Sequence, residues 1–476
     1  MRTHKPDYAL LLITLLASVL LFWKLGSHNL MQYDEARNGA NAWYMYHNHD
    51  YVNYYYGNAL DTWNAKPPLL IWLITISYHL FGFNEFSLRL PSVLASLAFF
   101  IVFYQLVKKN ISRQVAIYSS IILLACRAVI GEHVGRNGDF DSLLLLFLTC
   151  SLYYFCEYAL RNKKYAIYWV AIFLGLAFYS KGTASVLYLP GMFVFLLITG
   201  RLADILKDYR LYLSLVIFLA IAGSWILLVS LYGTTFETSV YGSKNSIETM
   251  LLYDTVKRFT TQELNPGEIK DNLFFIHAIE VRMNMWHILF YTAVATGLYR
   301  LFRKDWKYQE NNMEQRFTLL LICLMVPVIL IVNFGQYVLD WYFAPAWILI
   351  AIIVAQWMAY IQQKWKPAAY LWVLVIGFNL VKHFLYMDTR PDTMHHVFSK
   401  NNTNLSGQDY IVVQDTPDQD VVLYLLWLGV DFYKTENDAE LQQLKGKIAL
   451  VQAGKFNDND YKLISRFDGY CLAEIK

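Results

Sequence analysis

The sequence predicts a mainly α-helical polytopic membrane protein, a bundle of many spanning helices with a small α/β domain at its carboxyl end. Hydrophobic residues make up 57% of the 476 residues and aromatic residues 17%, against 16% charged residues. No soluble domain of this size needs so much apolar surface. Apolar windows of the length that a bilayer core requires, roughly 20 residues, recur along most of the chain.

Eleven segments are predicted to cross the membrane, each a mostly apolar run. They lie at about residues 8–25, 88–107, 113–130, 140–160, 165–180, 183–200, 211–232, 286–302, 317–335, 341–360 and 367–386. Residues 67–83 are also apolar, but a crossing there would move the basic links that follow to the opposite side. We therefore predict an interfacial helix in this stretch, started by Pro67 and Pro68.

Positive charge in the short links between the spans falls on one side, which the positive-inside rule assigns to the cytoplasm. The basic residues of these links are Lys108, Lys109, Arg113, Arg161, Lys163, Lys164, Arg201, Lys207, Arg210, Arg300, Arg303, Lys304, Lys307, Lys364 and Lys366. The N-terminus, with Arg2 and Lys5, is then cytoplasmic, and the odd number of spans places the C-terminus outside. No small-residue cleavage site follows the first span, so we expect it to be retained.

The chain is predicted to divide into a membrane domain, residues 1–387, and a small extracytoplasmic soluble α/β domain, residues 388–476. Short apolar runs at 410–413 and 448–451 are typical of strands, and residues 420–428 are helix-like. The acidic residues 415–418 are interpreted as a solvated turn. The five cysteines show neither a disulfide framework nor metal-ligand spacing. A net charge of +3 gives no argument for a nucleic-acid partner.

The first outer loop, residues 26–87, contains two polar elements. Asp34, Glu35 and Arg37 form a dense charge cluster just after the first span. Acids and bases at that depth either pair with one another or act on a substrate. Lys66 immediately precedes the proline-started helix, and a lysine beside the free N–H groups of a helix start suits a phosphate. A lysine that only reaches toward lipid headgroups would show the same pattern.

A second polar set lies farther along, at the same outer side. Asp141 stands at the threshold of an apolar helix, where its carboxylate can cap the helix without excluding another role. Lys181 lies between two predicted helices and is placed to meet the same anion.

The longest loop between two spans, residues 233–285, contains Lys257, Arg258, His277, Glu280 and Arg282. A loop longer than about 15 residues is usually functional or disordered, so we expect a lid or a donor-binding flap here. His47 and His49, one residue apart in the first loop, are only weak evidence for a metal.

In this order the motifs resemble the GT-C superfamily of polyprenyl-phosphate-sugar-dependent glycosyltransferases, in the branch of the lipid A aminoarabinose transferase and the protein O-mannosyltransferases. The resemblance covers about residues 8–360 and rests on Tyr33-Asp34-Glu35-Ala36-Arg37, Lys66-Pro67-Pro68-Leu69, Trp72-Leu73, Leu80-Phe81-Gly82, Arg89-Leu90-Pro91-Ser92, Arg136 with Asp141-Ser142, Gly175 to Gly182, and Trp341-Tyr342-Phe343-Ala344-Pro345. Ala65 stands where the aminoarabinose branch tends to carry an acidic residue linked to its metal site. The resemblance therefore does not carry a zinc ion over to this chain.

The resemblance implies an integral membrane glycosyltransferase that moves a sugar from a polyprenyl-phosphate donor to a lipid, glycan or protein acceptor on the extracytoplasmic face, with inversion. The implied base is Asp34, and Asp141 is the second carboxylate. The candidates for binding the donor phosphate are Lys66, Lys181, Arg258 and Arg282, and the supporting residues are Glu35, Arg37, Arg136, Asp139 and Tyr342. No cofactor is required, and a divalent metal stays an alternative.

A membrane transporter or lipid flippase is the competing class, in which the same outer charges would bind a solute. Transporters generally carry polar residues near the bilayer midplane and often a twofold repeat. Here the acidic motifs lie at one rim and no repeat is apparent, which favours the enzyme. The short basic links and the compact length resemble the bacterial branch, so we expect a multi-pass protein of a bacterial inner membrane. The sugar and the acceptor stay open, because cavity shape sets them.

Overall fold

The structure, a computed structural model, describes residues 6–27, 30, 31, 33–57, 59–236, 242–257, 273–303, 309, 311–335, 338–388, 410–413, 419–434, 444–467 and 470–476. The chain forms two compact units. The first unit comprises Met1–Trp23, Thr62–Leu70 and Ser92–Met387, and the second comprises Lys24–Asp61, Ile71–Pro91 and Asp388–Lys476.

The first unit is helical. Its helices are Tyr8–Phe22, the part of Glu85–Asn110 from Ser92 onward, Arg113–Leu124, Arg127–Ile130, Asp141–Ala159, Ala166–Lys181, Leu189–Ile198, Leu202–Leu206, Tyr209–Tyr232, Ser246–Glu248, Phe274–Met283, Trp286–Phe302, Met313–Phe334, Ala344–Lys364 and Ala368–Asp388. Short 3-10 helices cover Gly182–Val186 and Asp340–Phe343, and a π-helix covers Thr249–Lys257.

Seven helical segments in the described part of the chain are long and apolar enough to cross a bilayer. They are Glu85–Asn110, Asp141–Ala159, Ala166–Val186, Tyr209–Tyr232, Met313–Phe334, Asp340–Lys364 and Ala368–Met387. Each of the eleven predicted spans falls on a helix, and the helix Trp286–Phe302 has the predicted bounds. Three helices are clearly shorter than the spans predicted for them: Tyr8–Phe22, Arg113–Leu124 and Leu189–Ile198.

Two of the short helices have identifiable causes. The predicted span at 113–130 is interrupted because Cys126 has an extended backbone, with a φ of −145°, between Arg113–Leu124 and Arg127–Ile130. The predicted span at 183–200 starts with a 3-10 turn, and its α-helix begins only at Leu189. Pro190 is then in the first helical turn, where its missing N–H costs nothing.

Burial differs sharply among the helices of the first unit. In Ala344–Lys364 every side chain from Ala344 to Ile352 is buried, as expected of a helix that is apolar all round and lies in the core. The apolar helix Tyr209–Tyr232, in contrast, buries only Ser214, Ala222, Trp225 and Val229. An apolar helix with so much exposed surface has a lipid-facing side, since exposing a large apolar surface to water is unfavourable.

The second unit combines two helices of the first outer loop with the carboxyl-terminal residues. Helix Asp34–Asn48 is followed by the hairpin β1 (Tyr55–Tyr56) and β2 (Ala59–Leu60). Helix Leu69–Phe81, which begins in the first unit, starts directly after Pro67 and Pro68, as predicted. Its 13 residues are about 20 Å long, too short to cross the bilayer core.

A five-stranded sheet forms the carboxyl-terminal part of this unit. Its strands are β3 (Tyr410–Val413), β4 (Asp431–Lys434), β5 (Ile448–Gln452), β6 (Tyr461–Phe467) and β7 (Tyr470–Ile475), in the order β4-β3-β5-β7-β6. Strand β3 pairs in parallel with β4 and β5, whereas β7 is antiparallel to β5 and β6. The strands predicted at 410–413 and 448–451 are therefore confirmed. Residues 415–418 lie outside the described residues.

The carboxyl-terminal helix Gln419–Trp427 packs on helix Asp34–Asn48 within the second unit. Gly39 makes the approach possible, because a Cβ there would lie 2.5 Å from Leu423 Cδ2. Tyr424 also donates a hydrogen bond to Glu85, at 2.8 Å. The predicted α/β content is present, and the predicted boundary of an independent domain at 388 stays a prediction, since these residues share a unit with first-loop segments.

Candidate functional site

A buried ion pair joins two neighbouring helices of the first unit. Lys181 Nζ donates to Asp141 Oδ2 at 2.5 Å, and the two side chains are 14% and 2% exposed. Asp141 is the first residue of Asp141–Ala159 and Lys181 the last of Ala166–Lys181, so the packing of these helices brings them together. The N-cap residue of the helix is Phe140, and the Asp141 carboxylate at the first helical position accepts the hydrogen bond from Lys181.

Lys181 of this pair and Lys66, which comes from a distant segment, each lie over an aromatic ring. Lys66 Nζ is 5.1 Å from the centre of the Phe140 ring, and Lys181 Nζ is 5.2 Å from the centre of the Tyr342 ring. A cation over a ring face gains about 0.5–2 kcal/mol. Both ammonium charges also act on Asp139. The structure therefore brings together two of the predicted phosphate ligands, one predicted carboxylate and one predicted supporting tyrosine.

Asp139 is buried in the loop before Asp141. Its Oδ2 lies 2.9 Å from His133 Nδ1, and its Oδ1 accepts a hydrogen bond of 2.7 Å from the Phe140 N–H. Burial raises the pKa of Asp139, but the hydrogen bond from His133 and the positive charges of His133, Lys181 and Lys66 outweigh it. The pKa of this carboxyl therefore lies below its ordinary value, and Asp139 is ionised.

Trp341 forms the wall next to this loop. The His133 ring lies flat on the indole, with ring centres 3.6 Å apart and an angle of 9° between the planes. The Arg282 guanidinium carbon is 5.6 Å from the centre of the same indole. Arg282 binds both oxygens of Asp340, at 2.7 and 2.6 Å, and donates to the Glu132 carbonyl at 2.9 Å. Its planar fork, predicted to hold a phosphate, is thus engaged by a carboxylate.

In the second unit, Asp34 is the first residue of helix Asp34–Asn48 and is half-buried. Tyr33 before it has a φ of 68°, in the left-handed region that bulky residues avoid. The next residue, Glu35, is 1% exposed and accepts from the Met31 N–H at 2.8 Å. Arg89 closes this contact with hydrogen bonds of 2.7 and 3.1 Å to the Glu35 carboxylate. These bonds fix the start of the helix that carries Asp34.

Arg37 pairs with Asp61, which lies 24 residues farther along the chain. Its fork donates to the two Asp61 oxygens at 2.8 and 2.7 Å, and Asn41 adds a bond of 3.0 Å to the same carboxylate. The guanidinium also lies 4.7 Å from the centre of the Tyr56 ring. Such contacts are what a loop-supporting role requires, and the supporting role of Glu35 and Arg37 stays a prediction.

The remaining candidates lie apart from these contacts or outside the described residues. Arg136 donates to the Trp23 carbonyl. Arg258 lies outside the described residues. His47 stacks on Trp43, and its Nδ1 lies 2.9 Å from the Trp43 carbonyl oxygen, so this ring contacts its own helix.

The loop at 233–285 contacts the turn after Lys181. Thr255 and Thr183 hydroxyls are 2.9 Å apart, and the Met250 sulfur lies 3.0 Å from where a Cβ on Gly182 would be. Gly182 has a φ of 56°, so both its backbone and its surroundings require glycine. The described part of this loop therefore lies beside the candidate site, as a flap would.

Sequence reasoning missed several partners. Asp61, Arg89 and Asp340 each neutralise a predicted residue, but no local pattern links an acid and an arginine that are 24 to 58 residues apart. His133 stands in the same loop as Asp139, and its spacing alone is not a recognisable motif. The stacking of the His133 ring on Trp341 joins residues that are far apart in the chain, so no local pattern predicts it.

The sequence model of a family described as dolichyl-phosphate-mannose-protein mannosyltransferase matches residues 65–227. A protein of Aquifex aeolicus is 23% identical over 352 residues, which is 73% of this chain and 63% of that relative. The undecaprenyl phosphate-alpha-4-amino-4-deoxy-L-arabinose arabinosyl transferase of Pseudomonas savastanoi is 26% identical over 237 residues, 48% of this chain and 42% of that relative. Both matches span less than two thirds of the relatives' own length.

Among solved structures, ArnT from Cupriavidus metallidurans bound to undecaprenyl phosphate has a TM-score of 0.70, with 14% identity and 98% of each chain covered. This likeness defines the class: the chain is a multi-pass membrane protein with the GT-C fold. In sequence the chain is similar to the dolichyl-phosphate-mannose-protein mannosyltransferase family over residues 65–227 and to the Pseudomonas arabinosyl transferase. The predicted fold class and resemblance are confirmed, and the comparisons give the transporter alternative no support.

Proposed function

We propose that the chain is an inverting glycosyltransferase that moves a sugar from a polyprenyl-phosphate donor to a lipid, glycan or protein hydroxyl. One observation carries the proposal: Lys66, Asp141 and Lys181, from three separate segments, gather around the Phe140 and Tyr342 rings. These three residues lie in the stretch that matches the mannosyltransferase family. The undecaprenyl phosphate bound to ArnT and the name of the Pseudomonas relative support a polyprenyl-phosphate donor.

The chemistry needs positive charge where the donor's phosphate departs. The acceptor oxygen forms a bond to the anomeric carbon as the bond from that carbon to the phosphate oxygen breaks, and the bonding electrons leave with polyprenyl phosphate. Ammonium groups held in a partly desolvated site stabilise this growing negative charge. Lys66 and Lys181 meet this requirement, because aromatic rings and Asp141 fix their positions.

The carboxylates have separate proposed roles. The family resemblance alone assigns to Asp34 the role of removing the acceptor's proton. Asp141 holds Lys181 and orients the acceptor. Arg282 is better assigned to positioning than to phosphate binding, because Asp340 engages its fork.

Charge in the short links favours a cytoplasmic N-terminus and an extracytoplasmic reaction in a bacterial inner membrane. No step uses a metal, and activity that a chelator removes and a divalent cation restores would favour the metal-dependent alternative.

Transfer from a defined donor tests the proposal. We expect purified protein in liposomes to move labelled sugar from a polyprenyl-phosphate sugar to an acceptor, and Asp34→Asn or Lys66→Ala each to nearly abolish transfer. Lys163→Ala is the matched control for loss of a lysine, because Lys163 lies in a predicted cytoplasmic link and its side chain is 61% exposed. A wild-type rate in either test variant would refute that residue's role, and movement of lipid without transfer would refute the enzyme.

A further inference from the structure

The carboxyl-terminal helix Gln419–Trp427 has no role in the function proposed above, yet one of its faces contacts segments of the first outer loop. Leu423 and Tyr424 follow Asp420 by three and four residues, so the three side chains share this face. All three are buried. Asp420 interacts electrostatically with Tyr56 of the hairpin, and the other two contact helices of the same loop. The helix therefore does more than cover the five-stranded sheet.

Leu423 lies against Gly39, in the second turn of helix Asp34–Asn48. A Cβ at Gly39 would lie 2.5 Å from Leu423 Cδ2 and 3.1 Å from the Tyr78 hydroxyl, so the two helices meet here without room for a side chain. Glu35 precedes Gly39 by four residues and lies on the same side of the helix. The carboxyl-terminal helix thus packs one turn away from the start of the helix that carries the proposed base.

Tyr424 makes a polar contact from the same face. Its hydroxyl donates to Glu85 Oε1 at 2.8 Å, and Glu85 is the first residue of helix Glu85–Asn110. Glu85 precedes Arg89 by one turn, and its charge acts on Arg89. The three side chains are at most 5% exposed, so water screens their interactions little. The Tyr424 hydroxyl therefore holds the carboxylate that lies beside Arg89.

Arg89 connects this contact to the residue next to Asp34. It binds both oxygens of Glu35, at 2.7 and 3.1 Å, and donates to the Leu25 carbonyl at 2.7 Å. Glu35 in turn accepts from the Met31 N–H at 2.8 Å. Arg89 thus holds the backbone on both sides of Asp34, and all the residues of this series belong to the second unit.

We propose that Tyr424 is a positioning residue for Asp34. Its hydroxyl holds Glu85 and Arg89 in place, and these hold the start of the helix that carries Asp34. The inference rests on the proposed function, which assigns the acceptor's proton to Asp34. A general base works only within hydrogen-bond reach of its proton, about 2.6–3.2 Å, and a displacement of about 1 Å can slow a reaction about 10²-fold. The carboxyl-terminal helix is therefore needed for the reaction, although Tyr424 itself does not react.

Tyr424→Phe tests the hydroxyl alone, because it keeps the ring that packs on Trp427. We expect kcat for sugar transfer to fall by about 10- to 100-fold, since Asp34 is no longer held where proton removal requires it. The donor KM should stay within about twofold, because the proposed phosphate ligands Lys66 and Lys181 belong to the first unit. Transfer in liposomes at varied donor concentration and excess acceptor measures both constants. A wild-type kcat, or a change confined to the donor KM, would overturn the inference.

Tyr461→Phe is the matched control, because it removes another buried tyrosine hydroxyl from the carboxyl-terminal part. Tyr461 belongs to the core of the sheet, with Val412, Val451 and Phe456. We expect its kcat to equal that of the wild type. Thermal unfolding with and without donor shows whether each variant folds and binds. An equal fall of kcat in Tyr461→Phe and Tyr424→Phe would mean that any lost hydroxyl in this part lowers the rate, and the positioning role would be refuted.

A double variant tests whether Tyr424 acts through Glu85. Glu85→Met and Tyr424→Phe each break the bond and leave one polar partner buried, whereas Glu85→Met/Tyr424→Phe removes both partners. The double variant should therefore lose less stability than the two single changes combined, and it stays measurable if a single variant does not fold. If the hydroxyl acts through Glu85, kcat in the double variant falls no further than in the more impaired single variant. Two independent effects would multiply, which would contradict the proposed route.

Failure of this inference differs from failure of the proposed function. If the wild-type protein transfers no sugar from any polyprenyl-phosphate donor tested, the proposed function fails and this inference fails with it. If the wild type transfers sugar and Tyr424→Phe does so with the same kcat, the glycosyltransferase stands and only the inference is wrong. The helix Gln419–Trp427 would then serve the fold alone.

Discussion

The helix Asp141–Ala159 has a buried carboxylate near each end, and the two ends differ in how that charge is neutralised. At the start, Asp141 meets a single lysine, Lys181, at 2.5 Å, and both side chains are nearly buried. In the last turn, Glu157 meets three cations: Lys109 at 2.7 Å, Lys163 at 2.6 Å and Arg161 at 3.4 Å. The two lysines at this end are 36% and 61% exposed.

The number of ion pairs around a carboxylate is therefore a poor guide to its function. Ion pairs with partly exposed lysines, such as those of Lys109 and Lys163 with Glu157, contribute about 0–1 kcal/mol each, because water screens them. The cations there also compensate a carboxylate near a helix C-terminus, where the helix dipole disfavours it. The buried pair at the other end costs desolvation and gains little net stability. Its presence is therefore better explained by a role in binding or chemistry.

Breaking the buried pair should have the largest effect. Lys181→Met leaves Asp141 buried without its lysine, so we expect about 3–5 kcal/mol of destabilisation and at least a 10²-fold loss of transfer. Asp141→Asn/Lys181→Met removes both charges and should recover most of the stability but none of the transfer. Thermal unfolding in detergent and the transfer assay measure the two effects. A double variant that regained activity would show that the pair is structural.

Part of this arrangement could be predicted from the sequence. Apolar windows place the helices, and the positive-inside rule puts Asp34, Lys66, Asp141 and Lys181 at one rim, because both signals are local in the chain. The family resemblance supplied their order, and the fold and the resemblance are confirmed.

The rest depends on contacts that local signals do not carry. The break at Cys126 comes from the backbone conformation of one residue, inside a mostly apolar run that continues on both sides of it. The Arg282–Asp340 pair and the stacking of His133 on Trp341 join segments far apart in the chain. The sequence does not distinguish an arginine that binds a phosphate from one that binds a carboxylate. The structure shows that the Arg282 guanidinium binds the Asp340 carboxylate.

Arg282→Lys should have an intermediate effect and sharpen that revision. Lysine keeps the charge but loses the two-pronged bond to Asp340 and the donation to the Glu132 carbonyl, so we expect a loss of about 1.5–3 kcal/mol of stability. If Arg282 only positions Trp341, transfer should fall less than tenfold and the donor KM should hardly change. A large rise in the donor KM, with stability intact, would return Arg282 to the phosphate ligands.

Glu157→Gln should have the smallest effect, and it is a matched control for the change at Asp141 in the double variant, because both acids lie on one helix. Its cations are partly exposed and can be solvated once the carboxylate is gone, so the loss of stability should be about 1 kcal/mol or less. Transfer should stay within twofold of the wild type, since this end of the helix has no assigned role in the reaction. Unfolding curves at low and high salt provide the second readout. Added salt should reduce the difference in the free energy of unfolding between wild type and variant. Loss of transfer in this variant, with its folding intact, would mean that the two ends of the helix do not differ in function.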